Sequence, residues 1–205
     1  MKDKIIITIG RQFGSGGREL GKLLAESLGI DYYDKKLLIE GAQHAGVSCE
    51  YFENRDEKAP SFLGGMLSPW VNSSASWYGG AMCYGTDDNT YLCQCEVIRK
   101  IAEKGSCVIV GRSADYVLRD YPGALHIFVH APIEKCAERI VARGEAKSIE
   151  EAIAKAKKVN KLRANYYNFY TDKEWGNAAS YDLTFDSSKI SMEQAVEIIK
   201  SLFQK

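Results

Sequence analysis

The chain has 205 residues, 45% of them hydrophobic and 26% charged, which is the size and balance of one soluble globular domain. Its 27 Lys and Arg match 27 Asp and Glu, so the formal charge is zero, which excludes a broad nucleic-acid-binding face but leaves room for a local cationic cluster. Residues 1–9 hold only a short apolar run before Gly10, far below the ~20 residues a bilayer span needs, so no membrane association is expected and a cytoplasmic location is.

In chain order, Ile5, Ile6, Ile7, Thr8 and Ile9 form a β-branched run ending at Gly10, the pattern of a strand buried on both faces. After a glycine-rich stretch, Leu20, Leu23, Leu24 and Leu28 recur at helical spacing, and Gly29 stops the helix. Residues 30–33 give a short second strand ending at Asp34. This strand–loop–helix–strand unit predicts a parallel α/β sheet. Residues about 35–89 start helical and then become rich in Gly, Ser, Trp and Tyr, Trp70, Trp77 and Tyr78 among them, an insertion into the alternating pattern. Residues 107–110, leading to Gly111 and Arg112, and 126–129, leading to Pro132, predict two central strands. Pro132 suits the first turn of a helix over 133–143. A second insertion, about 148–176, is a long charged helix running into Tyr166, Tyr167, Phe169 and Tyr170. The last strand is predicted at 181–185 and an amphipathic closing helix at 192–203. The sum is one domain over 1–205, a three-layer α/β sandwich with a five-stranded parallel sheet.

Six cysteines are present, but Cys93 and Cys95 form a C-x-C pair with no second pair or His at zinc spacing. No metal site is expected there, and a reducing compartment predicts free thiols.

The segment 10–18 reads Gly-Arg-Gln-Phe-Gly-Ser-Gly-Gly-Arg. Phosphate binding needs backbone N–H groups turned inward at a helix start, where the helix dipole also favours negative charge. Glycines permit those turns and the close approach of an anion. Gly10, Arg11, Gly14, Ser15, Gly16, Gly17, Arg18 and Glu19 are therefore the candidate phosphate-binding residues. The strict pattern G-x-x-x-x-G-K-[ST] is not met: Gly17 follows Gly16 where lysine is expected, and Arg18 and Glu19 come next, with no Ser or Thr after that position to hold magnesium. Arg18 is the residue expected to replace the lysine. A plain glycine-rich turn is the alternative.

Phosphoryl transfer asks a protein mainly for positioning and positive charge. Arg18, Arg112, Arg139, Arg143 and Arg163 are the catalytic candidates. Arg112 follows a strand at the sheet edge where α/β proteins bind ligands. Arg139 and Arg143, four apart, share one helix face, and pairing with Glu138 or Glu145 is their alternative role. Asp34 ends a strand at the same edge, as a magnesium or ribose ligand or as a helix N-cap. Lys35 beside it is placed to steer an acceptor phosphate. The aromatic run at 166–170 either stacks a base or packs.

Three segments together carry a family resemblance: residues 14–21 (Gly-Ser-Gly-Gly-Arg-Glu-Leu-Gly), 111–115 (Gly-Arg-Ser-Ala-Asp), and 165–171 (Asn-Tyr-Tyr-Asn-Phe-Tyr-Thr) followed by Tyr181-Asp182-Leu183. They resemble the cytidylate-kinase-like proteins of the nucleoside monophosphate kinase group, over nearly the whole chain and in the right order. The resemblance implies a P-loop fold with strand order 2-3-1-4-5, a monophosphate-binding insert at about 35–89 and a lid at about 148–176. It also implies ATP as donor with Mg2+, and CMP or dCMP as acceptor. Arg112 would contact the acceptor phosphate and Asp182 would read the nucleotide. Two other functions are compatible with the missing lysine: a P-loop kinase of another small metabolite, and a nucleotide-binding regulatory protein with decayed catalysis.

Overall fold

The computed structural model describes residues 4–34 and 86–203, the side chains of 86–90 excepted. The expected insert at 35–89, with Lys35 and the tryptophans Trp70 and Trp77, lies almost wholly outside the described residues.

The strands are β1 (Ile6–Arg11), β2 (Asp31–Tyr33), β3 (Cys107–Val110), β4 (Ala124–His130) and β5 (Leu183–Asp186). All pair in parallel, in the order β2-β3-β1-β4-β5 that the resemblance implies. Between them run α1 (Gly17–Leu28), α2 (Thr86–Lys104), α3 (Ala114–Val117), α4 (Ile133–Ala142) and α5 (Ile149–Thr171), and α6 (Met192–Ser201) closes the chain. α2 and the short α3 have no counterpart in the pattern read from sequence. β5 starts two residues later than expected.

Period-two alternation in β1 explains the three layers. Ile7 and Ile9 face one side with Val108, Val110, Ile127 and Val129, packing on Leu20 and Leu24 of α1 and Val196 and Ile199 of α6. Ile6 faces the other side with Cys107 and Ile109, against Val97, Ile98 and Ile101 of α2. Each fully buried Ile or Leu contributes ~1.5–3 kcal/mol, so a strand apolar on both faces is held firmly at the centre. The register Gly10↔Phe128 and Arg11↔Val129 then fixes where the glycine-rich loop begins.

A third cluster joins α4 to α5. Ala137 and Ile140 pack against Ala152 and Ala156, all buried. Ser148 caps α5 by accepting from the Glu151 amide at 3.2 Å, with Glu150 and Glu151 favourably placed in the first turn.

Cys95, Cys107 and Cys136 are free, buried thiols. Cys93, half-buried on α2 rather than in the apolar core, is disulfide-bonded, unlike the reduced state expected of it. No helix among the described residues is long and apolar enough to cross a membrane.

Candidate active site

The glycine-rich loop leaves β1 and turns over the start of α4. Gly14 has φ +85°, and a Cβ there would lie 2.7 Å from the Cys136 carbonyl oxygen. Gly16, with φ +88°, is the N-cap of α1 and caps it with no side chain. The first-turn amides of α1 have no intrahelical acceptor, so they face the loop cavity as anion donors. Ser15 turns the other way. It is fully buried, its Oγ donates to the Gln12 carbonyl at 2.9 Å, and its own carbonyl accepts from Ser187 Oγ at 2.6 Å.

Arg139 joins that inward network. Its guanidinium donates to Ser187 Oγ at 2.9 Å and to the Ser187 carbonyl at 2.8 Å, and reaches the Ser15 carbonyl at 3.4 Å. It braces the loop from behind. Arg143, one turn on, lines the loop cavity and pairs with Glu145 at 2.9 Å. The two arginines expected on one helix face thus do different work.

Gln12, which the sequence reading passed over, pins the loop to the end of β4. Its amide donates to the Val129 carbonyl at 3.0 Å, and its side-chain oxygen accepts from the Ala131 amide at 3.2 Å.

Two cavities open at the C-terminal edge of the sheet. The first lies over the loop and is lined by Gly14, Gly16, Gly17, Arg18, Glu19 and Arg143, with Arg11 and Arg163 at its boundary. The second lies over β3 and is lined by Gly111, Arg112, Asp115, Tyr167, Trp175 and Tyr181, again with Arg11 and Arg163. Arg11 and Arg163 therefore form a common wall. The local cationic cluster allowed by a neutral chain is found here.

Arg18 extends outward, its side chain 65% exposed, with Nε 3.6 Å from Asp34 Oδ2. Asp34 itself is only 17% exposed and sits beside the loop. Lys35 is outside the described residues.

Arg112 is held in an unusual backbone. Gly111, Arg112 and Ser113 all have positive φ, at 79°, 60° and 52°. For the two non-glycine residues this costs roughly 1–2 kcal/mol each. Gln94, 2% exposed on α2, holds the turn: its Nε2 donates to the Arg112 carbonyl at 3.0 Å, and its Oε1 accepts from Arg112 Nη1 at 3.3 Å. The same Nε2 lies 3.3 Å from the Tyr166 hydroxyl.

α5 lies across both cavities. Ala152, Ala156, Asn160, Arg163, Tyr167 and Thr171 recur at steps of four and three, one helical face. Asn160 Oδ1 accepts from the Phe13 amide at 2.8 Å. Arg163 Nη1 donates to the Arg11 carbonyl at 3.1 Å, and its guanidinium lies 5.6 Å over the Phe13 ring. The Tyr167 hydroxyl donates to Asp115 Oδ2 at 2.7 Å. Burial pushes the Asp115 carboxyl up from its ordinary value, with the Tyr167 bond opposing. Burial, then the Asp115 charge, also raises the Tyr167 phenol, so it stays a donor. That face was visible in the sequence as a spacing; Tyr167 fell within the 165–171 segment of the family resemblance, whereas Asn160 carried no motif.

The aromatic run packs. Tyr170 stacks on Tyr91 of α2 at 4.0 Å, and Tyr166 meets both edge-on. Asp182 is built into the sheet edge: its Oδ2 accepts from the His126 amide at 2.7 Å, and its own amide donates to the His126 carbonyl at 2.8 Å.

The profile of the cytidylate kinase-like family matches residues 6–189. The chain belongs to that family. A cytidylate kinase of Pyrococcus horikoshii is 30% identical over 202 residues, spanning 98% of this chain and 88% of that one. One from Methanopyrus kandleri is 26% identical over 206 residues, covering 96% and 92%. Among solved structures, an uncharacterized protein from Eubacterium ventriosum is 29% identical with a TM-score of 0.72, covering 98% and 99%. A shikimate kinase from Bacteroides thetaiotaomicron superposes with a TM-score of 0.56 at 13% identity, over 99% and 100%, which speaks to the fold alone. Family membership makes the chain a nucleotide-binding phosphotransferase, a kinase.

Proposed function

We propose that the chain transfers the γ-phosphoryl group of ATP to a nucleoside monophosphate, with CMP or dCMP as the preferred acceptor. The observation that carries this reading is the pair of cavities sharing Arg11 and Arg163. A two-substrate kinase needs the acceptor oxygen in line with the donor γ-phosphorus and positive charge around the group in transfer, and Arg11 and Arg163 border both cavities. The loop cavity, with its helix-start amides, suits the donor. The cavity around Arg112 suits the acceptor, and the likeness to curated cytidylate kinases points to a cytidine base.

In this reading Arg112 binds the acceptor phosphate, and Gln94 sets its position. Arg163, on α5, spans both substrates. α5 acts as the lid, bringing its inward face down on the loop to exclude water and suppress hydrolysis. Arg139 braces Ser15 from behind, and Asp182 fastens β5 to β4 through the His126 backbone. Magnesium rides mainly on phosphates in such sites and asks for one or two carboxylates. Glu19 lines the loop cavity and fits that need, and no cluster of three or more metal-capable side chains competes for the ion among the described residues. When bound, the metal neutralises the phosphate charge.

A coupled assay of ADP release, run over CMP, dCMP, UMP, AMP and GMP, tests the proposal. Fastest turnover with CMP or dCMP is expected. No turnover with any of the five rules the nucleotide assignment out.

A further inference from the structure

The lysine of a phosphate loop has its usual place at residue 17, and here that residue is glycine. The structure gives a steric reason. A Cβ on Gly17 would lie 2.6 Å from Arg11 Cβ and 3.1 Å from Arg11 Cγ. The stem of Arg11 already occupies the space into which a side chain at 17 would grow. From there Arg11 runs to the end of β3, where a Cβ on Gly111 would overlap Arg11 Nη1 and lie 2.7 Å from Cζ. Two glycines, one on the loop and one after β3, thus leave a channel that the arginine fills.

Arg11 differs from Arg18 in three respects. It lines both cavities, whereas Arg18 lines only the loop cavity. It belongs to a central strand, registered against Val129, with its carbonyl held by Arg163, so its base is fixed. Arg18 lies on the rim, mostly exposed and beside Asp34. Charge acts most strongly where water is excluded and geometry is preset.

We infer that Arg11, not Arg18, takes the role of the absent loop lysine, binding the donor phosphates and spanning to the acceptor. Resting on the proposed function, this adds the residue that makes a lysine-free loop competent. In the transfer an acceptor phosphate oxygen bonds to the γ-phosphorus as the β–γ bridging bond breaks, and the electron pair leaves on the ADP β-phosphate. Arg11 neither gives nor takes a proton. Its guanidinium stabilises the charge on the transferring group and suits a planar phosphate face better than an ammonium.

The experiment compares Arg11→Met, which keeps a stem over Gly17 and removes the charge, with Arg18→Met. Calorimetric titration with inorganic tripolyphosphate reads donor-phosphate binding without reference to base or acceptor. Arg11→Met should weaken binding at least about tenfold and by more than Arg18→Met, and should lower kcat about 100-fold or more, the scale of losing one such stabiliser. Arg11→Lys should fall between wild type and Arg11→Met. A loss of tripolyphosphate affinity below tenfold, or one smaller than that of Arg18→Met, overturns the inference. Should Arg11→Met not fold by circular dichroism, Gly17→Ala makes the same test by displacing the stem, with the same threshold. A wild-type protein inert toward every monophosphate would instead sink the proposed acceptor, leaving the tripolyphosphate comparison to stand or fall by itself.

Discussion

The Phe13 amide, in the glycine-rich loop, donates to Asn160 Oδ1 on α5 at 2.8 Å. One backbone donor of the phosphate loop is thereby engaged by the helix above it. Removing the acceptor leaves a part-buried amide without its partner, at about 1–3 kcal/mol. Asn160→Ala should therefore speed hydrogen exchange of the Phe13 amide by roughly tenfold or more in the nucleotide-free protein. Unchanged exchange would mean that α5 does not hold the loop in solution.

Gln94 is a buried amide whose two ends both engage Arg112. A hydrogen bond to a charged group is worth about 1.5–3 kcal/mol, and the positive-φ turn at 111–113 depends on the same side chain. Gln94→Leu should raise the KM for the acceptor monophosphate about tenfold or more while changing the KM for ATP less than threefold. Gln94→Glu, which keeps an oxygen facing Arg112, should recover part of the loss. An equal rise in both KM values would indicate a general loosening rather than positioning of Arg112.

Asp115 gives the molecule a pH signature. Its folded-state pKa is raised from 3.8, chiefly by burial. The native state therefore takes up a proton more readily than the unfolded chain. The resulting stabilisation is full below 3.8 and is lost as pH rises through the raised value. Asp115→Asn retains an oxygen to accept from Tyr167 and removes the buried charge. Its Tm relative to wild type should rise across that window and level off above it. A difference in Tm that does not vary with pH would contradict the assignment.

Ala156 is fully buried between α4 and α5, beside Ala137 and Ile140. Ala156→Leu overpacks that seam, at about 1–3 kcal/mol. For a chain of this size the Tm should fall by roughly 3–10 °C. Thermal denaturation followed by circular dichroism provides the check, and an unchanged Tm would show that α5 can shift away without loss.

The parallel sheet was legible because β1 and β3 are short β-branched runs whose alternate residues bury on opposite sides, whereas its strand order came from the family resemblance and not from any local pattern. Gly29 marked the end of α1 for an equally local reason: the left-handed turn at φ 64°. The site was only partly legible. Gly14 and Gly16 declared an anion-binding turn, and Gly17 showed as a departure from the lysine-bearing loop. Its cause, the Arg11 stem, is a contact across a turn with no sequence period. Arg139 and Arg143 read alike from spacing, yet only contacts with Ser15 and Ser187, far away in the chain, separate them. Gln94 and Asn160 are single polar residues on long helices. Nothing local distinguishes such a residue from a solvated one until the partner helix or loop arrives.

The account rests on direct transfer between two cavities that meet at Arg11 and Arg163. Following ATP labelled in its γ-phosphate, in the presence of CMP and magnesium, measures that transfer most directly. The label should appear as the β-phosphate of CDP, with little inorganic phosphate. Label found only as inorganic phosphate, or ATP left intact, would contradict it.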